Sequence, residues 1–304
     1  MPLFSNRDGE LKGLNETPFR LEKDIQVLTE RNLNTIFGLE YVRSEFELDG
    51  LRIDTLAFDR ESKSFVIIEY KREKNFSVID QGYAYLSLML NNKAEFILEF
   101  NENKKENIKR EDIDWSQSKV VFISPSFTAY QLKAVQFRDL AFELWKITQY
   151  ENGLVLYNQL KPPESTESIN VVSGSNEVVK KVSREIKVYD EDYHLKKGSD
   201  TTNELYAKLK DRILELGDSI TIKPRKQYIG YKGRTNFCDI VIQQKKLVLS
   251  LNVRKGELDD PKNITRDVSN RGHWGNGDYE IHFSDETQIN YILDLIQQSY
   301  EKNQ

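Results

Sequence analysis

The sequence predicts a mixed α/β sheet with helices on its faces over residues 1–160, a polar linker over 161–185, and a smaller α+β domain over 186–304. Three observations predict it. Helix-period and strand-type runs alternate through the first half, the pattern of a sheet covered by helices. Pro162-Pro163-Glu164-Ser165-Thr166-Glu167-Ser168 and Val172-Ser173-Gly174-Ser175-Asn176 have linker composition. The 304 residues are about twice the usual domain allotment.

Taken in order, residues 19–33 carry apolar side chains near 3.6 spacing and predict a helix. Arg52–Asp59 and Phe65–Lys71 are short runs rich in β-branched and aromatic residues, and Arg60-Glu61-Ser62-Lys63 joins them as a hairpin. Val78–Leu86 predicts a second helix, Ala94–Leu98 a strand, and 99–114 a charged loop. Ser118–Ser124 predicts a strand, 127–137 a helix, and 140–145 and 154–157 late strands. In the second half, Leu205, Leu209 and Ile213 mark a helix over Thr202–Leu216, with Asp200 or Thr201 as cap and Gly217 as stop. Strands at 220–222, 228–231, 237–242 and 247–251 follow, then a last amphipathic helix through Ile289, Ile292, Leu293 and Ile296, capped by Ser284 or Asp285.

The hairpin carries the chemistry. If Asp59 pairs with Ser64, the opposed pairs are Phe58 with Phe65, Leu56 with Ile67, Asp54 with Glu69 and Arg52 with Lys71, all on one face. Two carboxylates then share a small volume at the end of an apolar face, which is unfavourable unless a cation joins them. Mg²⁺ takes such a site, with hard oxygen ligands from one or two carboxylates and positions left for water and phosphate. Glu69 follows Phe65-Val66-Ile67-Ile68, a run apolar on both faces, so its charge ends a buried strand.

Asp54 followed about fifteen residues later by Glu69-x-Lys71 resembles the PD-(D/E)XK nuclease superfamily, whose core is the restriction-endonuclease-like mixed sheet; Ile53 stands where the motif's name has proline. Glu22 on the first helix matches the acid that members often supply to the metal, and Glu30 is the alternative. Gln81 and Tyr85, one turn apart, resemble the Gln-x-x-x-Tyr element of the RecB-like and lambda-exonuclease-like branch. The likeness extends over roughly residues 17–160 and is similar to the nuclease domain of archaeal-type endonucleases acting on mismatched or branched DNA. It implies a Mg²⁺- or Mn²⁺-dependent DNA endonuclease, in repair or defence. Asp54, Glu69, the Tyr70 carbonyl and Glu22 would hold the metal, Lys71 would orient a water, and Gln81 would position that water or a phosphate oxygen. Tyr85 would shape the face toward nucleic acid, and Lys71, Arg72 and Lys74 would dock its backbone. The order of the second half resembles a domain of unknown function found behind such nuclease domains and sometimes labelled a transport protein.

Within that second half, Lys223, Arg225, Lys226, Lys232 and Arg234 interleave with Tyr228 and Tyr231 without an acid, a pattern suited to phosphate contact and base stacking, or to a hairpin whose tyrosines pack inward. Arg266, Arg271, His273 and Trp274 would extend that surface. The net charge of −5 predicts weak, salt-sensitive DNA binding unless basic residues concentrate on one face. A single cysteine, Cys238, excludes a disulfide framework and fits a reducing cytoplasm. With only His194, His273 and His282 beside it, a zinc cluster is not expected. No signal-peptide core and no apolar run of about 20 residues appear, so no membrane is expected. A homodimer or a protein partner stays open. Two other readings compete: a non-catalytic nucleic-acid-binding module with a nuclease fold, and a ligand- or protein-interaction protein whose C-terminal domain carries the function.

Overall fold

The computed structural model describes residues 3–72, 77–134, 140–160, 177–270, 272 and 275–304. The chain forms two compact units, Met1–Val188 and Tyr189–Gln304.

The first unit opens with a hairpin of β1 (Phe4–Arg7) and β2 (Glu10–Gly13), then β3 (Glu16–Thr17) and helices α1 (Glu22–Arg31) and α2 (Leu33–Phe37). Strands β4 (Glu40–Leu48), β5 (Leu51–Asp59) and β6 (Ser64–Tyr70) follow, then α3 (Val78–Asn91), α4 (Lys93–Lys104), β7 (Lys119–Ser124), α5 (Ala129–Ala134), β8 (Phe142–Tyr150), β9 (Val155–Leu160) and α6 (Glu177–Glu185). A seven-stranded sheet runs β3-β8-β7-β6-β5-β4, with β9 paired to β8. The β4–β5 and β5–β6 pairs are antiparallel, while β6–β7 and β7–β8 are parallel, so the sheet is mixed as the sequence predicts.

The β5–β6 hairpin turns where expected. Asp59 Oδ1 accepts the amides of Glu61 (3.0 Å) and Ser62 (3.2 Å), a side-chain-built turn. The register matches Asp59 with Ser64 and Leu56 with Ile67. Alternation then sends Leu56, Phe58, Phe65 and Ile67 to one face, where they meet Leu86 of α3 and Phe96 and Phe100 of α4. Ala57, Val66, Ile68 and Tyr70 go to the other face, against Ile25 of α1 and Leu33 of α2. Phe65, Phe96 and Phe100 are fully buried, each contributing on the order of 2 kcal/mol.

In the first unit, three expectations change. Residues 94–98 form no strand: they lie within α4, where Phe96 and Phe100, one turn apart, are buried while Leu98 is exposed. A short apolar run does not distinguish a strand from a buried helix, and the helical spacing of the two phenylalanines decided it. Of the expected linker, 161–176 lies outside the described residues; 177–185 is α6, whose Val179 and Val182 enter the core. The expected opposition of Arg52 with Lys71 does not form, because the β5–β6 ladder stops at Thr55 with Ile68 and β6 ends at Tyr70. The strand β4, which no local pattern had singled out, forms the sheet edge.

The second unit contains α7 (Glu191–Leu195), α8 (Asp200–Leu214) and α9 (Ile289–Lys302), with a six-stranded sheet in the order β10-β11-β12-β13-β15-β14. Those strands are β10 (Thr221–Pro224), β11 (Ile229–Lys232), β12 (Asn236–Ile242), β13 (Leu247–Leu251), β14 (Arg266–Asp267) and β15 (Tyr279–Phe283). Ser199, not Asp200 or Thr201, caps α8, its hydroxyl accepting the Thr202 amide. Leu205, Leu209 and Ile213 of α8 and Ile292 and Ile296 of α9 close this core over Cys238, Ile240 and Leu249. Among the described residues, no helix is long and apolar enough to cross a membrane.

Candidate active site

Asp54 and Glu69 sit where the β5–β6 ladder stops; its last pair is Thr55 with Ile68. Beyond it, an Asp54 carboxylate oxygen accepts the backbone amide of Tyr70 at 3.0 Å, so the side chain takes over from the backbone. Both acids are buried, Asp54 9% and Glu69 2% exposed. Lys71 Nζ donates to Glu69 Oε1 at 2.6 Å, and Gln81 Nε2 donates to the same oxygen at 2.7 Å. The other oxygen, Glu69 Oε2, is buried with no hydrogen-bond partner among the described residues. A carboxylate oxygen in that position is costly unless a cation or solvent meets it.

Gln81 reaches Glu69 because α3 lies close on the sheet. A Cβ at Gly82 would fall 2.6 Å from the Phe142 ring, so glycine permits the approach. Gln81 also donates to the Tyr85 hydroxyl (3.1 Å), which donates to the Arg52 carbonyl (3.0 Å). Tyr85 is 4% exposed, and its hydroxyl bridges Gln81 and the Arg52 carbonyl.

Burial, then the Glu69 charge, pushes Asp54 up to about 7, against the Tyr70 amide and Lys71, which pull it down. For Lys71, burial disfavours the ammonium, but the bond to Glu69 and the charges of Glu69, Asp54 and Glu22 outweigh it and raise its pKa.

The two helix-borne acids separate cleanly. Glu22, at the start of α1, accepts the Arg72 amide at 2.8 Å, just beyond the end of β6. Glu30 lies on the other face, accepting from Thr55 Oγ1 (2.7 Å) and Gln26 Nε2 (3.0 Å). Thr55 Oγ1 also hydrogen-bonds the hydroxyl of Tyr70, which belongs to the core on the Ile25 face. Among the described residues, no three His, Cys, Asp or Glu side chains converge to hold a metal ion. Two carboxylates with one orphaned buried oxygen nonetheless fit magnesium, which binds through one or two carboxylates.

Sequence reasoning missed Gln26, 4% exposed, whose amide donates to the Asp54 carbonyl at 2.9 Å. Its only signal was a glutamine adjoining Ile25 on the buried stripe of α1. Arg72 is exposed at the strand exit, while Lys74 lies outside the described residues.

In the second unit, the inward-packing alternative holds for the tyrosines. Tyr231 is fully buried, its hydroxyl 3.2 Å from Tyr206, and Tyr228 is 7% exposed, so neither ring is free to stack on a base. Lys223, Arg225, Lys226 and Lys232 are half-buried and Arg234 exposed. Arg266 pairs with Glu280; Arg271, His273 and Trp274 lie outside the described residues.

The chain is 48% identical over 299 residues to a Haemophilus influenzae protein called "Uncharacterized protein", a match covering 98% of this chain and 99% of that one. The chain belongs to that protein's family. Residues 191–303 match the family model described as a domain of unknown function, DUF5655. Among solved structures, a repair endonuclease from Pyrococcus abyssi is 19% identical with a TM-score of 0.23, covering 40% of this chain and 45% of that one. EndoMS in complex with double-stranded DNA is 14% identical at 0.24, covering 43% of this chain and 47% of that one. Pyrococcus furiosus SfsA in complex with Ca²⁺ is 14% identical at 0.24, covering 50% of this chain and 78% of that one. Likenesses this slight decide neither fold nor function.

Proposed function

We propose that the first unit is a metal-dependent nuclease that hydrolyses DNA phosphodiester bonds. The observation that carries this reading is the buried Asp54–Glu69 pair, with Lys71 and Gln81 on one Glu69 oxygen and, among the described residues, no hydrogen-bond partner on the other. Asp54, Glu69 and the Tyr70 carbonyl would hold Mg²⁺ or Mn²⁺, with Glu22 at the end of β6 contributing. A divalent cation bound there supplies Lewis-acid stabilisation of charge on a phosphoryl group. Lys71 holds a proton-bearing ammonium beside the acids, placed to orient an attacking water and to stabilise developing negative charge. Gln81 fixes the Glu69 carboxylate, and Tyr85 fixes Gln81. The metal-free binding-module reading would leave Glu69 Oε2 without purpose, and so is less well supported.

The test is cleavage of single-stranded, duplex, mismatched and flapped DNA with Mg²⁺ or Mn²⁺ by wild type and Lys71→Ala. Loss of about 100-fold or more in rate is expected in the variant. Cleavage that survives Lys71→Ala unchanged, or absence of any metal-dependent cleavage by wild type, overturns the proposal. A separate titration of Mn²⁺ followed by melting temperature should raise wild type and leave Glu69→Gln unmoved.

A further inference from the structure

A third carboxylate stands in the same row of the sheet. The β4–β5 ladder pairs Ser44 with Thr55 and Phe46 with Ile53, so Glu45 and Asp54 fall between the same two pairs. Glu45 has a left-handed backbone, φ 54°, inside a strand. A non-glycine residue there stores strain, and such strain gathers at functional sites. Its carboxylate bridges two cations from different elements: Oε1 meets Lys23 Nζ of α1 at 2.9 Å, and Oε2 meets Arg52 Nε of β5 at 3.0 Å.

Both cations are wired to the site. Lys23 also donates to Gln26 Oε1 (3.0 Å), whose amide holds the Asp54 carbonyl. The Arg52 carbonyl accepts from Tyr85, the end of the chain running through Gln81 to Glu69. The side chains of Lys23 and Arg52 are 53% and 62% exposed, and that of Glu45 36%, so a polyanion can reach them. Two oxygens on one carbon each take one charged donor, the pairing that the two non-bridging oxygens of a phosphodiester also accept. Exposed ion pairs are weak, so exchange of one anion for another costs little.

We propose that Lys23 and Arg52 form a binding site for a DNA backbone phosphate flanking the cleaved one, and that Glu45 fills it as an internal stand-in until DNA displaces it. This rests on the nuclease reading and deepens it: Glu45 restrains affinity, and release of its two cations accompanies docking.

The experiment is fluorescence anisotropy of a labelled DNA duplex, with Ca²⁺ in place of Mg²⁺, over a salt series. Glu45→Gln should bind about three- to fivefold tighter than wild type. Arg52→Ala should bind more weakly, with the salt slope reduced by about 1. In the Arg52→Ala and Lys23→Ala backgrounds the gain from Glu45→Gln should shrink below about twofold, because its partners are gone. Glu102→Gln, the same charge change on an exposed residue of α4, should leave affinity at the wild-type value. The proposal falls if Glu45→Gln matches Glu102→Gln, or if its gain persists without Arg52 and Lys23. Wild type that binds duplex and loses cleavage with Lys71→Ala while Glu45→Gln changes nothing sinks this proposal alone. A wild type that neither binds nor cuts DNA sinks both.

Discussion

Asp54 is the side chain whose protonation the fold disturbs most usefully. Burial and Glu69 lift it from its ordinary 3.8 to about 7. Between those values the folded protein keeps a proton that the unfolded chain has lost, so stability falls as pH rises through that window, and the penalty is complete above it. Each pKa unit corresponds to about 1.4 kcal/mol. Asp54→Asn, which keeps an oxygen for the Tyr70 amide, should therefore stabilise the metal-free protein at pH 8 by about 1 kcal/mol or more and give nothing at pH 3.5. Thermal melts at the two pH values decide it: an Asn variant no more stable than wild type at pH 8 would mean that Asp54 ionises freely. Asp54, Glu69, Lys71 and Gln81 were legible because carboxylates and an amine at strand ends, and a glutamine on the next helix, carry their chemistry in their type and spacing. Gln26 and Glu45 were not: a glutamine on a helix and a glutamate on a strand look solvated until the fold supplies the Asp54 carbonyl or the two cations.

Elements read well where period and composition agreed. The β5–β6 hairpin is one, since Asp59 starts its turn and each strand feeds two opposite cores. The stretch 94–98 is the counterexample, apolar enough for a strand but helical because Phe96 and Phe100 both reach the rings of the sheet. Helix α6 escaped notice because it follows a Pro- and Ser-rich stretch, yet Val182 is 2% exposed and belongs to the core under α3. Val182→Ala should cost on the order of 2 kcal/mol. Amide exchange should quicken across Val78–Asn91 as well as Glu177–Glu185, and protection unchanged in α3 would detach α6 from that core.

At the scale of the whole molecule, each unit owns a hydrophobic core: one pair of clusters flanks the seven-stranded sheet and a separate cluster fills the second unit. A unit with its own core can fold alone. Residues 189–304 expressed separately should unfold cooperatively in urea, and residues 1–188 should keep the metal-dependent rise in melting temperature and the cleavage activity. Cleavage that requires 189–304 would move the second unit into the catalytic machinery, and a non-cooperative 189–304 would make it dependent on the first. Its basic segment does not present Tyr228 and Tyr231 to solvent, since both rings face inward.

By itself, the sequence determined the alternation of elements apart from β4, α4 and α6, the hairpin register as far as Thr55 and Ile68, and the chemical types gathered at its end, because period, turn chemistry and residue type are local properties. The tertiary structure decided the rest. Which acid of α1 lies at the strand exit, which oxygen of Glu69 has no partner among the described residues, and which cations hold Glu45 all depend on faces brought together from distant parts of the chain. Burial and pairing are set by those non-local neighbours, and no window along the sequence contains them.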